Sequence, residues 1–68
     1  MLPQIAPILW REARRNLLIA LRAGRPISFC WQVYQIVIGA YQARRGIAFR
    51  ALAPFDRAAM IADLESLT

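Results

Sequence analysis

Histidine and lysine are both missing from these 68 residues, cysteine occurs once, and only four side chains are acidic. Each shortage excludes a class of chemistry. Without histidine there is no side chain that titrates near neutral pH, and with one thiol and four scattered carboxylates there are too few ligands for a zinc, haem or iron-sulfur centre. A single cysteine, Cys30, excludes the internal disulfide frameworks of small secreted domains, and it reads as a buried, inert thiol. Cofactors and a small-molecule substrate are not expected, and neither is an enzyme. The first residues, Met1 to Pro7, hold no positive charge and two prolines, so they do not read as a secretory signal, and a reducing cytoplasm fits best.

What is abundant is apolar surface. Hydrophobic residues make up 59% of the chain, against roughly 45–50% in ordinary globular domains. One domain of this length hides only about 60% of the surface its unfolded chain exposes. More hydrophobic side chains are therefore present than one small core can cover, and a second copy, a larger protein or a bilayer is expected to cover the rest.

Charge is placed unevenly. Residues 1–50 carry Arg11, Arg14, Arg15, Arg22, Arg25, Arg44, Arg45 and Arg50 against Glu12 alone, while residues 51–68 carry Arg57 against Asp56, Asp63 and Glu65. The basic front implies an anionic partner, and the acidic tail is complementary to the basic part of another copy.

Punctuation predicts an all-α fold, a small three-helix bundle with a short fourth helical turn at 47–53, completed by self-association or by a partner. Pro7 suits a first turn and Gly24-Arg25-Pro26 a stop, giving a helix over about 7–23. Ser28 offers an N-cap for a second helix over about 29–45, ended by Gly46. Pro54 opens a third, over about 54–66, with Asp56 in its first turn.

At 100° per residue, Leu9, Trp10, Ala13, Leu17, Ala20 and Leu21 share one arc of the first helix, and Arg11, Arg14, Arg15, Arg22 and Arg25 the opposite one. Leu18 lies within the arginine arc, flanked by Ile8 and Ile19, which suggests a docking face; a solvated face with snorkelling arginines is the alternative. The second helix is apolar almost all round and is expected to be central. Only Gln32, Gln35, Gly39 and Gln42 form a polar stripe, read either as a self-association seam beside Trp31 or as a strip facing water. Val33, Ile36, Val37 and Ile38 favour a strand, but no alternation with period two supports one. Met60, Ile61, Leu64 and Leu67 make the third helix a clamp on the core, and its carboxylates are expected to be solvated or paired with arginine.

These features imply a small basic interaction module, an adaptor, subunit or inhibitor of a larger protein, dimeric and binding an anionic surface through Arg11, Arg14, Arg15, Leu18, Arg22 and Arg25. Two alternatives stand beside it. Nucleic-acid binding draws on the same arginines and a second patch of Arg44, Arg45 and Arg50, but few other phosphate-binding side chains accompany them. Membrane association rests on the uncharged run 26–43, a marginal span that Pro26 and three glutamines oppose, or on the first helix lying flat on anionic lipid.

Overall fold

A computed structural model describes residues 9–68, so the expected start of the first helix at residue 7, with Pro7 and Ile8, lies outside the described residues. The three helices are α1 (Trp10–Arg22), α2 (Ile27–Arg45) and α3 (Arg57–Glu65), and they form a three-helix bundle. There is no strand among the described residues, and the β-branched cluster lies within α2.

Two glycines end helices as their positions require. Gly24 has φ +81° and Gly46 φ +66°, a left-handed conformation in which a side chain would be strained. Around Gly24 the Arg25 N–H donates to the Ala20 carbonyl at 3.1 Å and the Gly24 N–H to Leu21 at 3.3 Å, the paired bonds of a Schellman motif. Helix α2 stops in a similar way, with the Ile47 N–H donating to Gln42 at 3.0 Å.

Three local expectations need correction. Ser28 does not cap α2: the N-cap is Pro26, whose fixed φ of −53° and extended ψ turn the chain directly into the helix, and no side chain bonds to the free amides. Residues 47–53 form no helical turn and run as an irregular connection. Pro54 does not open α3; Asp56 is its N-cap, with a carboxylate oxygen accepting from the Ala59 N–H at 2.9 Å.

The core is built from Trp10, Leu17 and Leu21 of α1, Cys30, Tyr34, Val37 and Ile38 of α2, and Met60, Leu64 and Leu67 at the C-terminal end. Cys30 is fully buried, as its residue type implies. The expectation that α2 is central does not hold. Helix α1 packs against both α2 and α3, and α3 has only sparse contact with α2. Length explains this. Nine residues make about 14 Å of helix and nineteen about 28 Å, so α3 spans half of α2 at most. Phe29, Gln32, Gln35, Ile36 and Gly39 therefore remain exposed along one side of α2.

Long-range polar bonds fix α3. The Arg57 guanidinium donates to the carbonyls of Leu21 (2.9 Å) and Arg25 (2.7 Å), tying the α1–α2 turn to the start of α3. Arg14 donates to the Leu67 carbonyl at 2.7 Å, and Arg22 pairs with Glu65 at 2.5 Å. The acidic tail thus meets the basic helix of its own chain. No helix among the described residues, α2 over 27–45 included, is long and apolar enough to cross a membrane.

Candidate functional site

Three places concentrate side chains with chemical or recognition potential. The first joins α2, α3 and the connection between them. Tyr34, buried in α2, donates its hydroxyl proton to Asp63 at 2.5 Å and accepts from the Ala53 N–H at 2.7 Å. Arg50 completes the group with a bidentate pair to the same carboxylate, at 2.8 and 2.9 Å. One carboxylate of α3 thereby holds α2 and the connection between them. The paired state of Asp63 matches the arginine-bound reading of the sequence.

These bonds set the charges. The Arg50 guanidinium, and after it the Tyr34 hydroxyl, hold the Asp63 carboxyl below the ordinary range, although burial pushes it the other way. Burial, reinforced by the hydrogen bond to Asp63, pushes the Tyr34 phenol above its ordinary value. A depressed carboxylate stabilises the fold fully above its unfolded pKa and loses that contribution as pH falls through the folded value. A raised phenol contributes fully below its unfolded pKa and loses that contribution as pH rises through the folded one. Urea midpoints are expected to stay level between about pH 5 and 9 and to fall on both sides. Asp63→Asn should flatten the acid limb; an unchanged acid limb in that variant contradicts the assignment.

The second place is a basic end around an aromatic pair. Trp10 and Tyr41 meet edge to face, centroids 4.8 Å apart, because the start of α1 lies beside the end of α2. The guanidinium carbons of Arg11 and Arg14 lie 5.2 and 5.3 Å from the Trp10 ring, and those of Arg45 and Arg50 lie 5.5 and 5.9 Å from the Tyr41 ring, all within cation–π range. The structure thus merges part of the α1 arginine set with the patch at 44–50. Their availability differs. Arg14 and Arg50 are half-buried and engaged within the chain, Arg22 is exposed but paired, and Arg11, Arg15, Arg25, Arg44 and Arg45 have exposed side chains. Leu18 is half-buried against the core and not on the outer ridge. That ridge, spaced four, four and three, is Arg11, Arg15, Ile19 and Arg22, with Ile19 60% exposed.

The third place is the outer face of α2. Gln32, Gln35 and Gly39 are exposed there, and Gln35 and Gln42 line an open groove of about 590 Å3 whose other wall is formed by Phe49 and Leu52 of the 46–56 connection. Trp31 stands apart from this stripe. It stacks on Tyr34 at 5.5 Å and meets Phe55 edge to face at 5.4 Å. Sequence reasoning missed the exposed Phe29, Ile36, Phe49, Leu52 and Phe55, of which Phe49 is 81% exposed. A signal for two of them was present: Phe29, Ile36 and Ala43 recur every seven residues, with Gln32 and Gly39 between them. Compared with known proteins, the chain matches no family, and no curated protein or solved structure is significantly similar to it.

Proposed function

We propose that the chain is a non-enzymatic interaction module that self-associates and binds an anionic protein surface through the outer ridge of α1. The observation that carries the reading is Ile19, an exposed branched side chain set between Arg15 and Arg22 on that ridge. A surface meant only for phosphates gains nothing from an isoleucine at its centre. A protein surface with acidic residues around an apolar patch gains both ion pairs and buried area, and arginine beside apolar side chains is the composition of interface hot spots. Arg11 and Arg15 supply the charge, Arg22 being already paired with Glu65, and Arg44 and Arg45 extend it at the basic end. Arg14 and Leu18 lie behind the ridge within the fold, and Arg50 is engaged by Asp63.

Fluorescence anisotropy with a labelled acidic amphipathic helical peptide and with a labelled random-sequence DNA duplex, each across a salt series, tests this reading. The peptide is expected to bind, to lose affinity about tenfold or more with Ile19→Asp, and to keep part of its affinity at high salt. DNA binding that exceeds peptide binding, falls steeply with salt and ignores Ile19→Asp would replace the proposal with a nucleic-acid function.

A further inference from the structure

We infer that the outer face of α2 is covered by the same face of a second copy, running antiparallel to it, so that Phe29 of each chain meets the partner's Gly39. The inference rests on the self-association proposed above and assigns it a surface, an orientation and a register.

Phe29, Gln32, Ile36, Gly39 and Ala43 follow one another at spacings of three, four, three and four, the spacing that keeps a line of residues facing a partner helix. Along that line large residues come first and small ones last. Phe29 is 55% and Ile36 53% exposed, and a Cβ placed on Gly39 would meet nothing within 4 Å. A line graded from large to small fits its own reverse. In the antiparallel arrangement each Phe29 enters the space left at the partner's Gly39, each Gln32 lies beside the partner's Ile36, and the two Gln35 amides meet near the twofold axis, where they hydrogen-bond each other. A parallel pair stacks Phe29 on Phe29 and leaves a gap where glycine faces glycine.

Charge permits the same orientation. No charged residue occurs from Ile27 to Ala43, so the seam carries no repulsion of its own, although the chain as a whole is at +5. Arg44 and Arg45 follow directly at the end of α2. The antiparallel arrangement sends the two Arg44-Arg45 pairs to opposite ends, roughly 30 Å apart and each near Arg25 of the other copy, whereas a parallel one sets the two pairs side by side at one end and the two Arg25 side chains at the other.

The open apolar surface supplies more than half of what a dimer covers. A stable dimer covers roughly 800 Å2 on each partner. Phe29, Ile36, Phe49, Leu52 and Phe55 keep on the order of 500 Å2 of apolar side chain open, taking about 150–250 Å2 for a whole aromatic. Gln32, Gln35 and Ala43 add the polar and small remainder between them. The arginine ridge of α1 faces away from this seam, so a dimer presents two ridges to partners.

Sedimentation velocity of the full chain over a range of concentrations, with Phe29→Ala, Gly39→Leu and the double variant, tests the inference. Neither residue belongs to the core, and leucine is a better helix former than glycine, so circular dichroism should report an intact fold throughout. A dimer is expected at micromolar concentration, unweakened by salt. Each single variant should raise its dissociation constant at least about tenfold, and the double variant should restore most of the loss, because the exchanged large and small residues again face each other. Within one chain the two positions are about 15 Å apart, too far for direct compensation. A monomer at every concentration overturns both this inference and the self-association on which it rests. A dimer indifferent to the single variants overturns the surface alone, and one weakened by both but not restored overturns the register. Flotation with phosphatidylglycerol vesicles, lost on Phe29→Ala in a chain that stays monomeric, assigns the face to lipid and overturns the inference.

Discussion

Asp63→Ala is expected to cost about 2–3 kcal/mol, a large part of the roughly 3–5 kcal/mol that a single core of this size supplies. The carboxylate accepts the Tyr34 hydroxyl proton and takes two hydrogen bonds from Arg50. Removing it leaves a buried phenol and a half-buried guanidinium without their partner, and an unpaired buried charge costs far more than its pairing gained. The pair keeps about a fifth of its side-chain surface open, 22% for Arg50 and 21% for Asp63, which places the loss below the 3–5 kcal/mol of a fully enclosed pair. Urea titration followed by the fluorescence of Trp10 and Trp31 should show the midpoint collapsing, with part of the chain unfolded before denaturant is added. A loss under about half a kilocalorie would mean that the three groups are solvated and hold nothing together.

Leu21→Ala should be comparably severe, at about 2–5 kcal/mol. Leu21 has no exposed surface and lies at the end of the helix that packs against both others, while its carbonyl receives Arg57 from α3. Truncation opens a cavity at this junction, which can close only if α1 shifts relative to Arg57. For a chain this short each kilocalorie lowers the melting temperature by about 4–8 °C, so a drop beyond about 10 °C is expected by circular dichroism. Ile19→Ala, two residues earlier on the same helix but 60% exposed, supplies the control and should leave melting nearly unchanged. Equal effects of the two substitutions would show that the α1 faces are assigned wrongly. All melts require one protein concentration, because dimerisation adds to apparent stability.

The helices were legible because their ends are written in backbone chemistry. Gly24 and Gly46 are where the chain turns left-handed, and the Arg25-Pro26 step separates α1 from α2, so those boundaries follow from residue type alone. The face of α1 that enters the core was legible for the same reason, since Trp10, Leu17 and Leu21 share one arc. Two features resisted. Capping depends on which amide a side chain reaches, and Ser28 and Pro54 resemble caps and openers without making the bonds that Asp56 makes. Packing depends on length as well as apolarity: α2 reads as a helix in need of cover on all sides, and nothing in its own composition says that α3 is too short to give it.

The surfaces were half legible. The arginines are obvious as a set, but their division into those that tie down carbonyls or carboxylates of the same chain, Arg14, Arg50 and Arg57, and those that remain open, Arg11 and Arg15 among them, is made by tertiary contacts 13 to 53 residues apart. The glutamine stripe was visible, whereas the line through Phe29 and Ile36 was hidden by the general apolarity of its neighbours. Only burial separates the apolar positions that face inward from those that do not.

Helix α2 carries a further consequence in its lack of charge. Its stretch from Val33 to Ile38 holds four β-branched residues and no acid, base or proline. Released from α1, such a stretch has no gatekeeper against stacking in register with copies of itself, and cross-β fibrils grow from segments of this kind. Keeping these residues helical therefore also withholds from other copies the one stretch of α2 best suited to fibril growth.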